Sequence, residues 1–203
     1  MYARGLLSDC VEPMGDALAL LEMDSVAGGL SALDTLVKHA AVRVLEANLV
    51  EPGKFLILFE GGVAEVEACH TVVLEKYRHE IISEMMLPMV HEALLAGLRG
   101  VMSYDKPDTL GVVEGSDVAT TLRAADRSLK DASIRLCGIR VCLGLAGRAY
   151  FVVSGLQHDV EAGVAVGCDV LNADGRLHRS EVIARPHDEM VAWLLRPAPF
   201  QLG

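Results

Sequence analysis

Sliding the 203-residue chain along itself by 92 positions sets residues 17–43 on 109–135, and ten of the 27 pairs are identical. The identities are Leu18/Leu110, Glu22/Glu114, Val26/Val118, Ala27/Ala119, Leu30/Leu122, Ala32/Ala124, Asp34/Asp126, Lys38/Lys130, Ala40/Ala132 and Arg43/Arg135. At an offset of 94 the match resumes with Gly53/Gly147, Gly61/Gly155, Val66/Val160, Glu67/Glu161 and Ala68/Ala162. The change of offset requires two added residues between Arg135 and Gly147, and an insertion of that kind belongs in a loop. Two copies make a tandem duplication, not a solenoid. The joint falls in the polar stretch Ser103-Tyr104-Asp105-Lys106-Pro107-Asp108, which predicts units at 1–104 (core 17–99) and 105–203 (core 108–195).

Each copy carries the same pattern. Short apolar runs at 17–21 and 110–113 predict buried strands. Cap-type residues follow, Asp24-Ser25 and Ser116-Asp117. Next comes apolar spacing of 4, 3 and 4: Val26, Leu30, Leu33 and Val37 in one copy, Val118, Leu122, Ala125 and Leu129 in the other. Such spacing predicts one buried helical stripe per copy. Segments 42–50 and 55–59 form a strand pair around the turn residues Glu51-Pro52-Gly53-Lys54, and 134–143 with 149–153 do so around Gly144-Leu145-Ala146-Gly147. A second helix carries Val63, Val66, His70, Val73 and Tyr77 on one face, and its counterpart starts near Gln157-His158. A fourth strand (81–87, 177–184) and a short terminal helix complete each unit. Strand–helix–strand–strand–helix–strand is the ferredoxin-like split βαβ order, so the fold class is α+β, two such units in tandem.

Composition narrows the function. Eighteen Lys and Arg against 28 Asp and Glu leave a formal charge of −10, unsuited to a nucleic-acid partner, whose phosphates require clustered Lys and Arg. No apolar run reaches the length of a membrane span, and the first nine residues meet acid too early for a signal-peptide core. Five scattered cysteines without a CxxC pair fit a reducing compartment.

The common catalytic motifs, HExxH, GxSxG, a Walker loop and GxGxxG, do not occur. Gly144-Leu145-Ala146-Gly147 joins two strands and offers no helix N-terminus to an anion. The histidines lack metal-ligand spacing: His70 lies on an apolar stripe, His39 and His79 at helix ends, His91 and His187 at the start of terminal helices. Cys137 and Cys142 are five apart, which on one strand turns the thiols to opposite faces. No metal and no cofactor are expected.

These residues resemble the bacterial microcompartment (BMC) shell proteins, in the non-permuted class with two domains in tandem. The first copy matches through Ala19-Leu20-Leu21-Glu22-Met23-Asp24-Ser25-Val26-Ala27, Ala32-Leu33-Asp34-Thr35-Leu36-Val37-Lys38 and Val50-Glu51-Pro52-Gly53-Lys54-Phe55. The second matches through Gly111-Val112-Val113-Glu114, Ala124-Ala125-Asp126-Arg127-Ser128-Leu129-Lys130, Gly144-Leu145-Ala146-Gly147-Arg148 and Ile183-Ala184-Arg185-Pro186-His187.

The resemblance implies a structural protein without enzymatic activity. It would be a homotrimeric, pseudohexagonal tile packing beside other shell tiles around encapsulated enzymes in the bacterial cytoplasm. It implies a central pore lined by Glu51, Pro52 and Gly53 and by Gly144, Leu145, Ala146 and Gly147. It places Lys38, Lys130, Arg185, Pro186 and His187 at the tile edge, with Leu87-Pro88-Met89 replacing the arginine element in the first copy. Some relatives hold an iron–sulfur cluster through a cysteine at the position of Glu51; the glutamate argues against one here. Two alternatives remain open from the sequence: a small-molecule-binding regulatory protein of tandem ferredoxin-like domains, and a tile carrying a metal or redox centre.

Overall fold

A computed structural model describes residues 15–101, 107–141 and 145–194. The first unit runs β1 (Ala17–Met23), α1 (Val26–His39), β2 (Arg43–Val50), β3 (Lys54–Gly61), α2 (Val63–Tyr77), β4 (Ile81–Pro88) and α3 (Glu92–Leu98). The second repeats it as β5 (Thr109–Gly115), α4 (Val118–Asp131), β6 (Arg135–Val141), β7 (Ala149–Gly155), α5 (Gln157–Ala173), β8 (Leu177–Ala184) and α6 (Asp188–Leu194). The sheets have the orders β2-β3-β1-β4 and β6-β7-β5-β8, with every neighbouring pair antiparallel. That is the expected split βαβ topology, twice.

The copies agree in detail. Both first helices are capped by a side chain that leaves early backbone donors satisfied: Ser25 accepts the Gly28 N–H at 3.1 Å and Asp117 the Thr120 N–H at 2.7 Å. Both second strands are irregular at the same point, between Val44 and Glu46 and between Leu136 and Gly138. Leu49 pairs with Phe55, and Val141 with Ala149, so the extra length of the second copy lies in its turn, two residues longer than the first.

β1 is buried along its whole length because both faces of its sheet are covered. Ala17, Ala19, Leu21 and Met23 join Ala32, Leu36, Phe59, Val66 and Val73 under α1 and α2. Leu18 and Leu20 face the other way, into a core continuous through Leu94, Leu95 and Leu98 of α3 with Leu122, Leu129 and Phe151 of the second unit. A smaller cluster, Leu110, Cys137 and Val152, lies beside Met190, Val191 and Leu194 of α6.

One sequence expectation fails. Val118, Leu122, Ala125 and Leu129 are all buried, but in the first copy Leu30 and Val37 are exposed, and α1 buries Gly29, Ala32 and Leu36 instead. α1 rests on its own sheet through that second row: a Cβ on Gly29 would fall 2.5 Å from the Cβ of Phe55. α4 buries both rows, one on its own sheet and the other against β4 and α3 of the first unit. The apolar spacing marked one row only, and a period cannot tell whether a neighbouring unit covers that row.

Candidate functional site

The two predicted turns lie side by side. The β2–β3 turn closes with the Gly53 N–H donating to Val50 O at 3.0 Å, and the Glu51–Pro52 peptide is cis. Glu51, Pro52 and Gly53 are exposed. The β6–β7 turn closes through Arg148 N–H to Leu145 O at 3.0 Å. Gly53 and Gly147 both have left-handed φ, +93° and +80°, a conformation that favours glycine. Gly147 is buried against the first copy: a Cβ there would lie 3.7 Å from Val50 Cγ1 and 3.9 Å from both Glu22 Oε1 and the Glu51 carbonyl. Leu145 and Ala146 border a cavity of about 390 Å³ that also touches Glu51, Glu114, Arg148 and Tyr150. Burial pushes the Tyr150 hydroxyl up. Gly144 and Cys142 lie outside the described residues.

Beneath the first turn, Lys54 Nζ donates to the buried Glu22 carboxylate at 2.8 Å. Their counterparts in the second copy are Arg148 and Glu114, and there Arg148 lies 3.1 Å from His178 Nε2 instead. Gly147 covers Glu22, whereas Glu114 borders the open cavity.

The residues expected at the edge sit at the opposite end of the sheets. Met23 pairs with Phe55 beside the turn, while Ala17 pairs with Gly61 and Pro88 at the far end. α1 and α4 run toward that far end, carrying Lys38 and Lys130 in their last turns. Each lysine donates to a carboxylate one turn back, Asp34 at 2.7 Å and Asp126 at 2.6 Å. Arg185 follows β8 with φ +50°, its N–H bonded to Asp108 O at 2.8 Å. Arg185 and His187 are exposed, and Pro186 between them is buried. Thr109 pairs with Ala184 as Ala17 pairs with Pro88, so the element matching Arg185-Pro186-His187 is Met89-Val90-His91, two residues later than the expected Leu87-Pro88-Met89. Met89, in the place of Arg185, is also left-handed at φ +55° and exposed.

The model of the BMC domain matches this chain twice, over residues 17–90 and 109–186. The chain belongs to the BMC family of bacterial microcompartment shell proteins. It is 33% identical over 177 residues to the bacterial microcompartment shell protein PduT of Citrobacter freundii, covering 87% of this chain and 96% of that one. A crystal structure of a microcompartment protein from Desulfitobacterium hafniense superposes with a TM-score of 0.80 at 32% identity, over 86% of this chain and 97% of the other. A fused permuted hexameric shell protein of the RMM microcompartment shares the fold at 19% identity, with a TM-score of 0.57 over 75% of this chain and 84% of its own. The protein is thus a structural component of a microcompartment shell, built from two BMC domains in tandem.

Several polar residues of the two BMC domains take roles that the sequence did not assign to them. His91 and His187 cap α3 and α6: their Nδ1 atoms accept the Ala93 and Glu189 N–H groups at 3.2 and 3.3 Å. Asp126 joins the domains, since its Oδ1 accepts the His91 backbone N–H at 2.8 Å. The signal was present, because Glu22/Glu114 and Asp34/Asp126 are polar identities of the repeat. Between the domains, Arg43, Glu46, Leu98, Arg99 and Val141 border a cavity of about 250 Å³, and burial raises the Glu46 carboxyl above its usual range. Cys137 is buried, its Sγ bonded to Ser154 Oγ at 2.9 Å, and burial pushes its thiol up. Among the described residues, no three His, Cys, Asp or Glu side chains converge to hold a metal, and no helix is long and apolar enough to cross a membrane.

Proposed function

We propose that three copies of this chain close into a pseudohexagonal ring and that the ring is the tile from which the shell is laid. One observation carries this reading: the same helix face is covered in one BMC domain and bare in the other. Leu122 and Leu129 are buried against the first domain, while the matching Leu30 and Val37 are 54% and 49% exposed. Val141 is buried in the same seam, and its counterpart Leu49 is exposed. The complementary surface is bare at the other end of the chain, where Val182 and Ile183 of β8 are more open than the matching Met86 and Leu87 of β4. Each chain therefore carries one closed copy of an interface and the two unused halves of another. Repeating a head-to-tail contact gives a ring when the rotation closes and a filament when it does not, and six like units in a ring are three chains.

In that ring Glu51, Pro52, Gly53 and Gly144–Gly147 line the central opening, three turns of each kind alternating. Lys38, Lys130, Arg185, Pro186 and His187 stand at the outer edge of the tile, where neighbouring tiles meet. We place the domain boundary between 104 and 105 and assign the chain no chemistry of its own. The register supports this arrangement by setting the turns and the lysines at opposite ends of both sheets. Light scattering of the purified protein tests it: three chains per particle are expected, and a monomer at micromolar concentration would overturn the trimer.

A further inference from the structure

The junction between the two domains is pinned by one carboxylate. Asp126 is 7% exposed; its Oδ2 accepts Lys130 Nζ at 2.6 Å and its Oδ1 accepts the His91 backbone N–H at 2.8 Å. His91 begins α3 and caps it with its own ring nitrogen. A single side chain of the second domain thus holds the start of the first domain's last helix, and it does so with a charge-assisted bond to a donor that the helix itself leaves free.

Both halves of this device recur in the chain, separated. Asp34 stands at the matching position of α1, and its Oδ2 accepts Lys38 Nζ at 2.7 Å. Yet Asp34 is 61% exposed, and among the described residues nothing donates to its Oδ1. Lys38 is 72% exposed, where Lys130 is 35%. At the other end of the chain, His187 precedes α6 and accepts the Glu189 N–H as His91 accepts that of Ala93. Its own backbone N–H meets no acceptor among the described residues. One orphan is an anionic acceptor and the other a main-chain donor. Each sits beside one of the apolar surfaces left bare, Asp34 between Leu30 and Val37 on α1, and His187 a few residues beyond Val182 and Ile183.

We infer that Asp34 of one chain accepts the backbone N–H of His187 of the partner subunit, reproducing between chains the Asp126–His91 bond within a chain. The inference rests on the trimer proposed above and adds its polar register. A solvent-exposed Asp–Lys pair contributes little to stability. Covered as Asp126 and Lys130 are, the same pair becomes a preset anchor, with the lysine holding the carboxylate in position for the incoming helix. His187 then serves the seam inside the tile through its main chain, while Arg185, two residues earlier and turned outward by its left-handed backbone, is left for the tile edge.

The test uses the full chain as wild type, Asp34→Ala and Asp34→Asn, with the association state followed by light scattering on dilution. Exchange of the His187 amide is followed by peptide-level mass spectrometry. Asp34→Ala should dissociate at a concentration higher by about tenfold to a hundredfold per seam, the size of a hydrogen bond to a charged group, with the His187 amide newly exchanging. Asp34→Asn keeps an acceptor oxygen and should recover much of both. Its circular dichroism and that of the alanine variant should match wild type, because Asp34 is exposed in the single chain. If wild type is a trimer and Asp34→Ala dissociates at the same concentration with the His187 amide still protected, the contact is wrong and the trimer stands. If wild type is a monomer throughout, both readings fall.

Discussion

His70 Nε2 lies 3.0 Å from Glu84 Oε2, joining α2 to β4 at a place where the second domain has Val164 and Ser180. Burial holds the imidazole below its usual pKa, and the nearby Glu84 opposes that shift without cancelling it. The folded protein therefore resists protonating His70 at a pH where the unfolded chain accepts the proton. Stability from this group is fully present above the unfolded value of about 6.5 and declines as pH falls from there toward the lower folded value. The melting temperature of wild type should drop between pH 7.5 and 5, and His70→Val should flatten that slope. Identical slopes for the two proteins would show that His70 contributes nothing to it.

Leu30 and Leu122 should respond oppositely to the same change. Leu122→Asp buries an unpaired charge in the junction and should cost more than about 4 kcal/mol, enough to threaten folding. Leu30→Asp places a charge on a surface that is open in the single chain, so it should shift monomer stability by less than about 0.5 kcal/mol while abolishing the trimer. Chemical denaturation and light scattering on both variants make the comparison; a trimer that survives Leu30→Asp means the seam lies elsewhere.

Met89 and Arg185 share a left-handed backbone and an exposed position, yet only one carries a charge. Replacing Lys38 and Lys130 together by alanine should eliminate sheets seen by electron microscopy. Arg185→Ala should thin them, and Met89→Arg should leave assembly intact or strengthen it. Sheets at wild-type levels in the double lysine variant would move edge control to other residues. Because Lys38 also holds Asp34, the double variant needs its trimer confirmed first.

Three Glu51 carboxylates around one axis would attract cations and discourage anions, as acidic rings do in channels. Glu51→Gln should speed the entry of an anionic probe into assembled shells and leave a neutral probe of equal size unchanged. Equal anion rates before and after the change would mean that this opening is not the selective route.

Gly97 on α3 meets β6 so closely that an added Cβ would fall 2.7 Å from Leu136 Cδ2. Gly97→Ala sets an overpacking cost of about 1–3 kcal/mol against the roughly 0.5–1 kcal/mol that alanine gains over glycine in a helix, so a net loss of about 0.5–2 kcal/mol is expected in urea denaturation. A loss below a few tenths would show that Leu136 can step aside.

Most of this architecture was legible because duplication writes each signal twice. An apolar run such as residues 17–21 is ambiguous alone, but its recurrence at 110–113, each time followed by a capping side chain, fixes strand and helix order. What stayed hidden depends on neighbours that the period cannot name. Leu30 and Leu122 are identical letters at matching positions of the same helix, and the presence of β4 and α3 over the second decides their burial. The polar anchors were obscured for the same reason. Asp34 and Asp126 stood out as identities, but an aspartate one turn before a lysine is usually just a surface pair, and the His91 amide that gives Asp126 its second role is a backbone group with no letter of its own.

The β6–β7 turn is two residues longer than its counterpart between β2 and β3. In a ring of six identical single-domain chains, a lengthened loop would appear at all six positions at once and crowd itself around the axis. In the ring proposed for this duplicated chain each codon would be read out only three times, so one set of loops could grow while the other keeps its length. If the proposed ring forms, the bore of its opening and its charge would be inherited through separate stretches of the gene, and selection could alter either without disturbing the other.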